Sequence, residues 1–281
     1  MSIQAVIKKI AAKENEEARF IYGRYYSKLQ TKYPECKIVK DEKKSKIQQI
    51  RDQGYEDKLI ELLKEDYEDL FNQANIKYTN IQKIQIFEKE LHLIGGSDEQ
   101  NDVNDDIKEF VVKSLTKVPD YFFNIPASST GKYHPEFTIQ VNGLAKHVKA
   151  AVKIAIDLFE VKVFDFDQRT RGIIIASLIL HDCAKNGFNK SQYTVADHPI
   201  QITKFLKENV ELKALTQEDF TLIEKNINSH MGKWNTTFKS DKEILPKPSN
   251  KMEYFVHICD YIASRKYINF DFNEDFNFDE E

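Results

Sequence analysis

Three cysteines, Cys36, Cys183 and Cys259, are odd in number and widely spaced, which excludes a disulfide framework and suits a reducing, cytoplasmic setting. Long hydrophobic runs are missing as well. The longest, Gly172 to Leu180, is about half of what a membrane-spanning helix needs, so no membrane partner is expected. The opening stretch, Met1 to Ala11, carries Lys8 and Lys9 inside its only apolar segment and does not read as a signal peptide. With 41 basic and 45 acidic residues the chain has a net charge of -4, which gives no overall pull toward nucleic acid but leaves room for a local basic groove. Glycine is scarce before residue 95, where only Gly23 and Gly54 occur.

What the chain does have, over 281 residues, is enough apolar material for one large domain or one domain plus a smaller one. Its apolar residues fall at helical spacing. Leu59, Leu63, Tyr67 and Leu70 make one stripe, and Ile84, Phe87, Leu91 and Ile94 another. An all-α chain is expected, with a smaller helical N-terminal domain at 1–94 and Pro34 as its main break. Gly95 and Gly96 followed by Ser97, Asp98 and Glu99 mark a linker at 95–106. A larger helical domain at 107–268 follows, then an acidic and aromatic tail at 269–281 that reads as disorder or as a docking segment. Residues 1–94 and the tail are the candidate surfaces for a protein partner or for homo-oligomer formation.

Chemistry concentrates in the larger domain. The run Gly172 to Leu180 ends abruptly in His181 and Asp182, with Lys185 three residues on. Asp167 suits the N-cap of a helix running from about Gln168 to Ala184. A carboxylate at the end of a buried helix needs a partner, and a metal cation is the partner that also suits a neighbouring imidazole. Other inward-facing polar groups occur in four further elements. His147 shares a helix face with Leu144, Ala151, Ile154 and Leu158; His198 opens a helix after Asp197; His230 ends the stripe Phe220, Ile223, Ile227; and Asp260 shares a face with Val256 and Ala263. One such residue is ordinarily a satisfied core group. Six buried polar residues would each need a separate partner, whereas a shared cation serves them all. Mixed imidazole and carboxylate ligands suit Mn, Fe, Co, Ni, Zn or Mg and leave positions for water, which favours a catalytic over a structural site.

In order, His147, His181-Asp182 and Asp260 resemble the H, HD, D signature of the HD-domain metal-dependent phosphohydrolase superfamily, over roughly Ile107 to Tyr267. His181 to Lys185 is similar to that family's HD-x-x-K run, and His198 and His230 match its two-metal variant. The order Ser229-His230-Met231-Gly232, Leu245-Pro246, then His257 ahead of Asp260 is most similar to HD domains of 3′-to-5′ exoribonucleases and phage-type HD proteins. The resemblance implies an HD-domain helical bundle and two divalent ions, one on His147, His181, Asp182 and Asp260, the other on His198 and His230 with Asp182 as the bridge. It further implies that a metal-activated water cleaves a phosphoester of a nucleotide or short oligonucleotide, with Lys185 neutralising phosphoryl charge.

Substrate contacts are expected from Ser129, Lys132 and His134, in a hydroxyl-rich loop bounded by Pro126 and Pro135, and from Trp234, which either stacks on a base or covers the core. His257, one turn before Asp260, reads as a group that orients ligands rather than as a ligand. Two other functions stay open: a nucleotide- or metal-binding adaptor without turnover, and a 3′-to-5′ exoribonuclease, although no alternating pattern for an oligonucleotide-binding barrel is present.

Overall fold

Helical spacing becomes helix along the chain. The computed structural model describes residues 3–39, 44–67, 76–95, 103–128, 131, 133–212, 215–237, 240–273 and 277–278. Among these, regular structure is α-helical with short 3-10 turns, and the β-bridges Thr236 with Glu243 and Phe272 with Phe278 are isolated pairs. The all-α expectation holds. No helix among the described residues is long and apolar enough to cross a membrane.

The chain divides into two compact units, Met1–Ile76 and Lys77–Glu281. In the first, α1 (Ile3–Glu14), α2 (Ala18–Lys32), α3 (Lys46–Asp52) and α4 (Glu56–Asp66) surround a core that includes Ile7, Ile10, Ile21, Tyr25, Leu29, Ile50, Leu59 and Leu63. The stripe read from the sequence supplies Leu59, Leu63 and Tyr67 to this core, while Leu70 lies outside the described residues. Ser45 caps α3 by accepting a hydrogen bond from the Gln48 amide, and the Arg24 guanidinium joins Glu14 and Glu16 at 2.9 and 2.7 Å.

The division falls ahead of the glycine-containing stretch, not within it. Helices α5 (Asn80–Ile86) and α6 (Glu88–Gly95) belong to the second unit, because Phe87, Leu91 and Ile94 are buried in one cluster with Phe110, Phe122 and Ile174. A glycine pair marks a turn but says nothing of where the preceding apolar stripe is buried. Residues 96–102, the centre of the expected linker, lie outside the described residues. The second unit continues with α7 (Asp105–Lys117), α8 (Gly143–Phe159), α9 (Gln168–Leu180), α10 (His198–Asn209), α11 (Gln217–Ser229) and α12 (Lys251–Ala263).

Helix α9 is the axle of this unit: α6, α7, α8, α11 and α12 all pack on it. That arrangement explains why Gly172 to Leu180 shows no polar face, since every residue of the run is buried and a helix covered on all sides is apolar all round. The Asp167 side chain caps α9 by accepting from the Thr170 amide at 2.7 Å. The helix stops at Leu180, short of Ala184, and the chain goes on in tight turns to Lys190.

Lys149 is fully buried on α8, where its ammonium donates to Glu90 Oε2 (2.6 Å) and to the Ile86 carbonyl (2.5 Å). Burial pushes its pKa down, partly opposed by the Glu90 charge. The described part of the tail does not behave as disorder. Phe270 and Phe272 pack on Phe137 at 5.8 and 5.2 Å between ring centroids, and Phe278 packs on both of them. Apolar rings spaced two apart reach the core of their own unit despite the acidic residues between them; Phe276 lies outside the described residues.

Candidate metal centre

Helices α8 to α12 of the second unit deliver their polar residues to the same place. His147 sits on the buried face of α8, and Asp260 faces it from α12, which packs along α8. His181 is the C-cap of α9 and His230 the C-cap of α11, while His198 is the first residue of α10. Asp182 follows directly after the end of α9. His147, His181, His198 and His230 are at most 1 % exposed, as is Asp182.

The helix ends also fix the tautomers. His181 Nδ1 lies 2.6 Å from the Leu178 carbonyl, His198 Nδ1 2.8 Å from the Val195 carbonyl, and His230 Nδ1 2.7 Å from the Ile227 carbonyl. A carbonyl only accepts, so each Nδ1 carries a proton and donates it, which leaves each Nε2 to face the site. Those Nε2 atoms converge on carboxylates. His198 Nε2 is 3.0 Å and His230 Nε2 3.8 Å from Asp182 Oδ1; His181 Nε2 is 3.5 Å from Asp182 Oδ2 and 3.4 Å from Asp260 Oδ1. His147 Nε2 lies 2.8 Å from Asp260 Oδ1 and 3.7 Å from Asp182 Oδ2.

Lone pairs facing carboxylate oxygens in a buried space require a positive species between them, either a proton or a metal cation. His181 Nε2, His198 Nε2 and Asp182 Oδ1 are buried without a hydrogen-bond partner, which is the pattern of a ligand set. Two groups with metal-holding spacing result, His147, His181, Asp182 and Asp260 in one, and Asp182, His198 and His230 in the other, with Asp182 common to both. Either group could hold a metal ion.

The charges are set for cation uptake. Burial opposes the ionised form of Asp182, but the Lys185 ammonium and the His181 and His198 rings outweigh it and hold the carboxyl well below its usual range. Burial likewise opposes ionisation of Asp260, and the bonds from His147 and His181 overcome it. Burial drives His230 down to about 3, keeping its imidazole neutral as a metal ligand must be. His181 is raised, since the Asp182 and Asp260 charges exceed the burial penalty. Without a metal, its proton neutralises part of the carboxylate pair.

A cleft of about 1000 Å³ opens beside the cluster and is lined by Asp260, His198, Lys185, His134, Ser128 and Trp234, among others. The Lys185 ammonium contacts Asp182 Oδ2 at 2.6 Å. His134 reaches the cleft with its ring centroid 5.9 Å from that of His147, and burial holds its pKa at about 3. Ser129 and Lys132, expected beside it as substrate contacts, lie outside the described residues.

His257 donates from Nδ1 to the carbonyl of His230 itself at 2.6 Å, which holds the backbone that carries the His230 ring. Residues that sequence reasoning missed are Tyr261, Ser264 and Arg265, which line the cleft together with Lys185, and Tyr121, whose hydroxyl accepts from the Asn186 amide and ties down the turn after Asp182. Tyr261 directly follows Asp260, and Ser264 and Arg265 come about one turn later, so the helical period could have placed them at the site's edge.

No protein-family model matches the chain, and no curated protein or solved structure matches it.

Proposed function

We propose that the chain is a divalent-metal-dependent phosphohydrolase of the HD-domain type, cleaving a phosphoester of a nucleotide or short oligonucleotide. The observation that carries this reading is the convergence of the free Nε2 atoms of His181, His198 and His230 on Asp182 at the edge of an open cleft. A structural metal site is closed by its protein ligands, whereas this one adjoins a space large enough for a small molecule.

His147, His181, Asp182 and Asp260 would hold one ion, and Asp182, His198 and His230 the second. Ions of this kind, when bound, activate water near neutral pH and withdraw charge from phosphoryl oxygens. The chain's own groups complete the chemistry. Lys185 brings a fixed positive charge to the wall where phosphoryl oxygens would lie, and a charge already placed needs no reorganisation as negative charge builds. His134, kept neutral by burial, can orient a phosphate oxygen through one N–H without adding charge. Asp182 is ionised before a cation arrives, so no proton has to leave it on loading.

The test uses the full chain, stripped with a chelator, reloaded with Mn or Zn, and offered nucleoside monophosphates, cyclic dinucleotides and single-stranded RNA. Release of phosphate or nucleotide is expected, lost in Asp182→Asn with the helical circular dichroism retained. Reloaded protein that turns over none of these substrates removes the enzymatic reading.

A further inference from the structure

Trp234 is the chain's only tryptophan and stands 45 % exposed on the cleft wall. Single exposed apolar residues are ordinary on protein surfaces. This one is built differently. Its indole lies nearly parallel to the Tyr261 ring, 19° and 5.7 Å between centroids, and Tyr261 carries the Arg265 guanidinium 4.2 Å from its centroid. The Arg265 guanidinium is in turn held by the Tyr261 carbonyl and the Ser264 hydroxyl, so the stack has a fixed base. Trp234 stands outside the buried core cluster of its unit and is open to the cleft.

Position along α12 gives the stack its meaning. Tyr261 is the residue after Asp260, so the stack and the candidate metal cluster meet on the same helix and line one cleft. A phosphate placed at Asp260 and Lys185 therefore shares its cleft with the aromatic wall. The cleft lining also carries the hydroxyls of Thr236, Thr237 and Ser240, and Lys233 sets its ammonium 4.8 Å from the indole centroid. An aromatic platform with a cation on it, and hydroxyls and phosphate-directed charge along the same cleft, fits a planar, electron-poor ring joined to a phosphate through a polar spacer.

We propose that Trp234, backed by Tyr261 and Arg265, is a nucleobase platform that selects nucleotides over phosphate esters lacking a base. This rests on the phosphohydrolase reading only for the place of the phosphate; stacking itself needs no turnover. Base-on-aromatic stacking tolerates any base, so discrimination between base and no base is expected, with little between one base and another.

Because Trp234 is the sole indole, its fluorescence reads the platform directly. The full chain, loaded with Mg, is titrated with AMP, UMP and ribose 5-phosphate in rapid mixing. Saturable quenching by AMP and UMP, with none from ribose 5-phosphate at the same concentrations, is the expected result. Equal responses to all three, or no quenching by the nucleotides, overturns the platform whether or not any ester is hydrolysed. Quenching by nucleotides in a protein that hydrolyses nothing would instead remove the enzymatic reading and leave the platform standing. As a second measurement, Trp234→Ala should lower the preference for AMP over ribose 5-phosphate about tenfold or more, with Trp234→Phe recovering most of it. A preference unchanged in Trp234→Ala also overturns the proposal.

Discussion

Replacing Gly232 by alanine tests the link between backbone and site most directly. Gly232 has φ +56°, and a Cβ built there would lie 2.3 Å from His257 Cε1 and 2.5 Å from His257 Nε2. Two costs follow. A non-glycine residue in the left-handed region loses about 1–2 kcal/mol. The imidazole must also leave its place, breaking the 2.6 Å bond that it donates to the His230 carbonyl, which costs about 1 kcal/mol for the bond and something further for lost packing. The single substitution Gly232→Ala should therefore destabilise the second unit by about 3 kcal/mol. In a His257→Ala background the clash is gone and only the backbone cost of about 1–2 kcal/mol remains. The cycle predicts a coupling energy of about 1.5 kcal/mol between two residues 25 positions apart in sequence. Urea unfolding of the metal-free chain, followed by Trp234 emission, reports on the second unit and measures all four corners. Additive costs within about 0.3 kcal/mol would mean that His257 does not fill the space left by Gly232, and the orienting role given to that ring would fall with it.

Three further outcomes follow from the same geometry. Metal analysis of the reloaded chain should give close to two ions per chain, falling toward one in His230→Ala and below one in Asp182→Ala, since only Asp182 belongs to both groups; an unchanged count in His230→Ala breaks that assignment. Glu90→Gln leaves the buried Lys149 ammonium without its counter-charge and should cost about 3 kcal/mol, whereas Lys149→Met with Glu90→Leu should stay within about 1 kcal/mol of wild type, both by Trp234-monitored unfolding. Arg169 bonds Asp106 at 2.6 Å and pulls its carboxyl pKa down. The folded value lies below the unfolded value of about 3.9, so this stabilisation is complete above the unfolded value and is lost as pH falls through the folded one. The pair is partly solvated and worth about 1 kcal/mol. The gap in melting temperature between wild type and Arg169→Met should accordingly shrink as pH drops from about 6 to about 2, and a gap that widens refutes the assignment.

Period and punctuation made much of this legible in advance. The stripe Phe220, Ile223, Ile227, His230 is buried as read, and the cap Asp167 starts α9 where the sequence put it. Thr216 accepts from the Asp219 amide, but the Asp219 carboxylate serves Arg169 as well as the cap, a tertiary role that no local pattern carries. The place of α5 and α6 was illegible for a related reason. An amphipathic stripe shows that a helix has a partner, not which unit supplies it, and the division into units falls at Ile76 and Lys77, ahead of both helices. For the tail, composition left disorder and docking both open. The acidic residues between the phenylalanines point to solvation, while the rings, spaced two apart, meet Phe137 on one side.

The inward set of His147, His181, Asp182, His198, His230 and Asp260 was readable because helix ends have their own chemistry. The last turn of a helix leaves carbonyls without intrahelical donors. A histidine at the C-cap can satisfy one of them through Nδ1, as His181 does with Leu178 and His230 with Ile227. One hydrogen bond then does two things: it closes the helix, and it fixes the tautomer so that Nε2 is left bare on the far edge of the ring. An apolar run that ends in histidine is thus a local signal with a geometric content. What it cannot carry is the identity of the facing groups, which depends on α9 being enclosed by five helices at once. The cleft's aromatic wall belongs to that second category. Tyr261 and Arg265 gain their meaning from Trp234, a residue on the loop after α11, and only the packing of α11 against α12 brings the two stretches together.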